Sequence, residues 1–404
     1  MKLLQLTKKF PYPIMDGESI AIHNLSRGLV RAGVEVHLLA LNTLKHHASY
    51  DRLPDSLSHY DSIESVDIDT QVRLIPLLRH LIKGTSYNVA RFKSREFDGT
   101  LVHTLKRQQF DVIQLETLYL VPYIPTIRKH SSALIALRSH NVESEIWHGL
   151  SRGSRGWRRW YYGVCAERLA EMEDDMREMY DVHIPISAVD HALYTQNGHQ
   201  RPSLVLPIGM DLPSPSRPDD DHDKLTKLGF IGTMDWRPNV EGIRWFLDNA
   251  WPLVREEFPE IEFHLAGRNM PQELKEYVSS GVTIHGEVAD AGAFVQGLDV
   301  VVAPVFSGSG IKVKILEAMA YGRVVMSTKM GFEGIPVVGR SSALVFENAQ
   351  ELIAELSWIL AHKDRLGDIK INARQLIKSN FDLDKLALDL KVFYEQNALI
   401  KKEL

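Results

Sequence analysis

Short apolar runs alternate with amphipathic helical stretches along most of this chain, and the alternation runs through twice. KLLQLTKKF, from Lys2, reads as a strand ended by Pro11 and Pro13. In the stretch that follows, DGESIAIHNLSRGLVRAG, Ile20, Leu25, Leu29 and Val30 recur at helical spacing and Gly33 closes the helix. VEVHLLAL is then a second strand. Strand, helix, strand predicts a parallel sheet, because parallel neighbours need a crossover between them. DVIQLE and ALIALRS predict two more buried strands around a helical YLVPYIPTIRKH. Residues 150–180 predict charged helix, and VHIPIS and SLVLPI two further strands.

The pattern breaks at PSPSRPDDDHD, residues 213–223, which reads as a linker whose aspartates form a solvated loop rather than a metal site. A second series follows at once. KLGFIGTM, IEFHLAG, VTIHGEV, DVVVAPV and VVMST predict strands. NVEGIRWFLDNAWPLVREEFP, ADAGAFVQG and IKVKILEAMAYG predict helices, and a helical tail runs from about Asp382. The expected class is α/β, with two doubly wound Rossmann-like domains and a cleft between them, in which ligands bind beyond the carboxyl ends of strands. The expected boundaries are 1–208, 209–381 and 382–404.

The lone cysteine, Cys165, excludes an intrachain disulfide and fits a reducing cytoplasm. No window holds 18 uncharged apolar residues, and the first apolar run is too short for a signal peptide, so a cytoplasmic protein is expected. The net charge is -5. Residues 1–205 carry 25 Lys and Arg against 23 Asp and Glu, so the acidic excess lies in the second half. That argues against nucleic acid as a partner and leaves the first half mildly basic.

SGSGIKVKILEAMAYGR, Ser307–Arg323, carries the densest chemistry. Gly308 and Gly310 let backbone N–H groups approach an anion, and a helix expected from about Ile311 adds its positive end. That outlines a phosphate cradle with Lys312 and Lys314 as cations. Lys314 and Glu317 share a helix face, suited to a phosphate and a sugar diol respectively. Neither a P-loop nor a Rossmann G-x-G-x-x-G is present. His140 and Glu116 follow predicted strands at their carboxyl ends, as does Arg268, and Asp16 either caps the first helix or supports the loop at Gly17.

Six pieces in this order resemble the retaining GT-B glycosyltransferases of the large glycosyltransferase family 4. They are FPYPIMDGESIAIHNLSRGLVRAGVEVHLL, RSHNVESEIW, SLVLPIGMD, FIGTMDWRPNVEGIRWF, SGSGIKVKILEAMAYGRVVMST and GFEGI. The resemblance spans nearly the whole chain. It implies an N-terminal acceptor-binding domain, a C-terminal donor-binding domain and a C-terminal helix packed back on the N-terminal domain. It also implies a UDP- or GDP-linked sugar as donor substrate, a glycan or lipid-linked acceptor, no cofactor and no metal. By the same resemblance His140 and Lys314 are catalytic. Gly17, Thr233, Arg237, Asn239, Val288, Ser309, Gly310, Ile311, Lys314 and Glu317 lie against the donor, and Asp16, Glu116 and Asn141 on the acceptor side. The family's first signature glutamate is replaced here by Ser309. An epimerase of the same fold and a non-catalytic partner protein are the alternatives. The Arg, Trp and Tyr residues of 152–162 suit either a membrane contact at the inner face or a helix that packs its aromatics inward and solvates its arginines; the second is favoured. Bacterial polysaccharide or glycoconjugate assembly is the expected setting.

Overall fold

A computed structural model describes residues 1–14, 16–44, 47–48, 54–213, 225–308 and 310–403. Two units emerge: Met1–Gly209 with the helix Leu383–Glu403, and Met210–Asp382. The expected linker falls almost wholly on 214–224, outside the described residues.

The first unit holds a six-stranded parallel sheet of β1 (Lys2–Thr7), β2 (Glu35–Thr43), β3 (Ser62–Ile68), β4 (Val112–Leu115), β5 (Leu134–Ser139) and β6 (Val182–Pro185), in the order β3-β2-β1-β4-β5-β6. The second holds β7 (Lys227–Ile231), β8 (Glu262–Ala266), β9 (Val282–Gly286), β10 (Val300–Ala303), β11 (Val324–Ser327) and β12 (Leu344–Val345), in the order β12-β11-β10-β7-β8-β9. Read from the other edge, the second order repeats the first, so both sheets are doubly wound. Their chain directions diverge between β1 and β4 and between β7 and β10, and the crevice beyond such strand ends is where ligands bind in this class of sheet. The inner strands are buried nearly throughout, because helices cover both faces.

Three local features differ from expectation. β3 carries no continuous apolar run; only Val66 of its residues is buried, as an edge strand permits. SLVLPI is not a strand. It runs beside β6 through Leu204 N–H to His183 O and Leu206 N–H to Pro185 O, but Pro202 and Pro207 donate nothing and no ladder forms. The long helix after β7 runs Arg237–Trp245, widens at Phe246–Ala250 and resumes as Trp251–Glu257. Pro252 explains this: it lacks an N–H and its ring would press on the carbonyl one turn back, so the wider turn makes room.

The helix Leu383–Glu403 packs on the first helix, Gly17–Arg31. Gly28 is the notch: a Cβ there would lie 2.9 Å from Ala387 Cβ. Lys391 Nζ donates to Ala32 O at 2.8 Å. Leu386, Ala387, Leu390 and Tyr394 share a core with Leu3, Leu25, Leu29, Val112 and Leu134.

Candidate active site

In the first unit, strand register brings four polar side chains under the carboxyl ends of β1, β4 and β5. Gln5 pairs with Gln114, and Leu115 with Leu137, which sets Glu116 level with Arg138 one step on. Gln114 and Glu116, two apart, share a face. Glu116 is wholly buried. It accepts from Gln5 Nε2 at 2.5 Å, Arg138 Nη1 at 3.2 Å and His140 Nε2 at 2.9 Å, and closely from Gln114 Nε2. Tyr60 donates to Gln5 at 3.0 Å and Tyr394 to Gln114 at 2.7 Å, closing the network. Burial alone would raise the Glu116 carboxyl, but the Arg138 charge and the bonds from His140 and Gln5 outweigh it and hold it down at about 2.

The ionised Glu116 only accepts, so His140 Nε2 carries the proton of this bond, and in the neutral ring Nδ1 holds a lone pair. Nδ1 makes no hydrogen bond among the described residues, which leaves it able to accept from a hydroxyl. Glu116, expected on the acceptor side, is wholly buried and meets His140 Nε2 instead of open space. Asp16 caps the first helix, accepting from Ser19 N–H at 3.0 Å, and pairs with Lys9 Nζ at 2.6 Å. Gly17 opens that helix with nothing within 4 Å of where a Cβ would stand. Asn141 is half-buried beside His140.

Glu18, Lys8 and Lys9 were not singled out by sequence, although two lysines directly after a buried strand are a usable signal. Glu18 lies 3.4 Å from Lys8 Nζ and 3.5 Å from Lys9 Nζ. Burial pushes its carboxyl up, yet the two lysines and His140 bring it below its ordinary value. Three buried oxygens around these strand ends, Thr7 Oγ1, Thr117 Oγ1 and Glu18 Oε1, make no hydrogen bond. Unpaired buried polar atoms are costly, and their concentration beside a crevice marks a polar ligand site.

The helix Glu143–Arg152, which follows directly on the HNV turn at 140–142, has no side-chain cap of its own. Glu173 supplies one from the helix Gly156–Met176, accepting from Glu143 N–H at 2.9 Å and Ser144 Oγ at 2.5 Å. Burial dominates here and pushes the Glu173 carboxyl up to about 7. A carboxyl whose pKa is raised on folding favours the folded state at low pH and disfavours it as pH climbs from about 4.5 through 7. The Tm difference between Glu173→Gln and the native protein should therefore move in favour of the variant between pH 5 and pH 8. The native Glu173 carries a penalty of roughly 3 kcal/mol at most by the upper pH. A difference that does not change with pH would contradict the assignment.

In the second unit the crevice is built from the ends of β7 and β10. The helix there is Val313–Ala320, starting two residues later than expected, because Lys312 stays extended as its N-cap. Its N-cap Lys312 offers no side-chain cap, so the first N–H groups face outward with the dipole behind them. Gly308 (φ 91°) and Gly310 (φ 79°) make the approach turn in a conformation that disfavours a Cβ. Ser309 lies outside the described residues.

Lys314 is the centre of this crevice. Its Nζ donates to Asn239 Oδ1 at 2.6 Å and sits 4.1 Å from the centroid of the Phe230 ring. Asn239 is fixed in turn by donating to Thr233 O at 2.8 Å. Burial, with Lys312 adding repulsion, pulls the Lys314 ammonium down to about 7. Lys312 bonds back to Gly310 O and reaches Glu333 Oε2 at 3.4 Å. Glu317 stands one turn along, its carboxyl raised by partial desolvation although the residue is exposed.

The other expected donor residues are more open. Arg237 is exposed and pairs with Glu241 at 2.6 Å, which also accepts from Ser307 Oγ at 2.8 Å. Val288 is half-buried beyond β9, and Arg268, beyond β8, has no side-chain partner among the described residues. Gly242 allows the helix after β7 to touch the chain after β10: a Cβ would stand 1.7 Å from Pro304 O. That contact fixes the helix carrying Asn239 against the turn leading to Lys314.

Residues 226–362 match the family model described as glycosyl transferases group 1. A protein in the cps region of Klebsiella pneumoniae is 28% identical over 169 residues, 39% of this chain and 43% of that protein, so the match spans less than half of this relative. Among solved structures, Anabaena HepE in complex with UDP superposes with a TM-score of 0.65 at 14% identity, covering 98% of this chain and 100% of that one. Sucrose-phosphate synthase from Thermosynechococcus elongatus superposes with a TM-score of 0.67 at 16% identity, covering 98% and 99%. At such identities the structural likeness establishes the fold, GT-B, and nothing finer.

Proposed function

We propose, from the premise that residues 226–362 form a glycosyl transferases group 1 domain in a chain of GT-B fold, that this protein is a retaining glycosyltransferase. It moves a sugar from a nucleoside diphosphate sugar to an acceptor hydroxyl. The observation that carries this reading is Lys314, a half-buried lysine at an open helix N-terminus whose hydrogen-bond partner is a neutral amide. A diphosphate placed there gains the charge of Lys314, the helix dipole and the backbone N–H groups at the start of that helix together. Glu317 is the group for the ribose diol, and the turn around Val288 for the base.

The bond from the anomeric carbon to the diphosphate oxygen breaks, and a bond to the acceptor oxygen forms on the same face. The acceptor's proton passes to the departing diphosphate. Lys314 and the helix N-terminus stabilise the charge that develops on the leaving group. His140 Nδ1 accepts from a sugar or acceptor hydroxyl and positions it. HepE, of the same fold, is solved with UDP-glucose, which favours a UDP-linked donor. The relative in the cps region favours polysaccharide assembly, with a glycan or lipid-linked acceptor.

A thermal-shift panel of UDP, GDP, ADP and dTDP tests the reading. UDP should stabilise most, by roughly 2.7 kcal/mol at about 100 times its dissociation constant, and UMP less. Gly17→Val meets open space in the free protein, so a smaller shift in that variant would report contact with the ligand rather than damage to the fold. No shift with any diphosphate at millimolar concentration would defeat the proposal.

No group of three or more His, Cys, Asp or Glu among the described residues is arranged to hold a metal. Turnover should accordingly survive a chelator. Its abolition, with rescue by magnesium or manganese, would require a cation in the mechanism.

A further inference from the structure

We propose that one face of the first unit docks on an anionic lipid surface. The face combines the helix Leu74–Lys83 with the start of the helix Gly156–Met176. On the first helix, Ile75 is 82% exposed and Ile82, two turns along the same face, 87% exposed. On the second, Trp157 and Trp160 are 72% and 64% exposed. Of the four aromatics expected to pack inward, Trp157 and Trp160 therefore stand in solvent, while Tyr161 and Tyr162 are half-buried. The two helices are neighbours: Arg168 Nη1, on the second, donates to His80 O on the first at 3.0 Å.

Charge selects the occupant. Residues 70–95 contain Lys or Arg six times and residues 146–166 four times, with no Asp or Glu in either stretch, in a chain whose net charge is -5. A protein core would exclude those cations, whereas a layer of anionic headgroups over acyl chains takes both the arginines and the large apolar tips. Trp suits that boundary, having an apolar ring and one N–H. No helix among the described residues is long and apolar enough to cross a membrane, so the contact lies in the interface plane. This inference stands apart from the nucleotide site, whose residues it does not use.

Flotation of the full chain with vesicles tests it. Vesicles of equal parts phosphatidylglycerol and phosphatidylcholine should carry the protein, and phosphatidylcholine alone should not. Salt at about 1 M, where the screening length falls to about 3 Å, should release it. The double variant Trp157→Ala, Trp160→Ala should bind the anionic vesicles at least about tenfold more weakly, and Ile75→Asp with Ile82→Asp likewise. Each of Arg79→Gln and Arg158→Gln should cost roughly fivefold. All these positions are exposed, so folding and the nucleotide thermal shift should be unchanged. Absence of binding, equal binding to both vesicle types, or variants that bind like the native protein would overturn the proposal. So would a dimer dissociated by the same substitutions, which would make a second copy the occupant of this face.

Discussion

Lys314→Ala is expected to cut transfer and donor affinity by roughly ten- to over a hundredfold, the worth of one hydrogen bond to a charged group. The effect should exceed that of Lys312→Ala, because Lys312 is already engaged by Gly310 O and Glu333. There is also a proton signature. Burial holds the free ammonium at about 7, so at pH 8 most of the unliganded protein has Lys314 neutral. A diphosphate raises that pKa, and binding at pH 8 must then take up a proton. Calorimetry in buffers of different ionisation enthalpy should show the uptake in the native protein and its loss in Lys314→Ala. At pH 6 the uptake should be small. Equal turnover in the two lysine variants, with no proton linked to binding, would remove Lys314 from the phosphate site.

His140→Ala should lower turnover by roughly hundredfold, from loss of one positioned hydrogen bond in the transition state. The nucleotide thermal shift should persist, since the diphosphate contacts proposed here come from Lys314 and its helix. Glu116→Gln is the sharper companion. It keeps the size of the side chain but removes the anion that fixes the proton on His140 Nε2. Turnover should fall and its pH profile should shift, while a simple loss of packing would move neither the profile nor the ratio of kcat to KM in that manner. Glu116→Ala is uninformative by comparison, because it strands the buried Arg138 charge at a cost of about 3–5 kcal/mol. A His140→Ala protein with normal maximal rate and weakened nucleotide binding would reverse the roles of the two units.

The parallel sheets were legible because their strands are buried on both faces and therefore read as apolar runs between helical periods. β3 was not, because an edge strand needs only Val66 inside. The helix start at Val313 and the glycine turns at Gly308 and Gly310 were legible because glycines, lysines and an apolar helical period fall within a few residues. The Glu116 network was not. It is assembled by register between Gln5, Gln114 and Arg138 and closed by Tyr394, 280 residues from its partner. The hint was there: glutamine and arginine inside buried strands are unsupportable alone and imply partners elsewhere in the chain. The exposure of Trp157 and Trp160 was hidden for the opposite reason, since a Trp-rich helix reads as core until its neighbours are known.

The first unit is interrupted. Its chain leaves at Gly209 and returns only at Leu383, after the whole of Met210–Asp382. The second unit is continuous and can close its core from its own residues as soon as they are made. The first cannot, because Leu386, Ala387, Leu390 and Tyr394 belong to the core around Leu25 and Leu29. During synthesis, where chains ordinarily mature from the N-terminus onward, this molecule must finish in the reverse order. The segment translated first stays unsealed along its opening helix until Leu386–Tyr394 have been made. Tyr394 then completes the polar cluster that holds His140. A truncated nascent chain would thus carry a finished second unit and an unfinished first one.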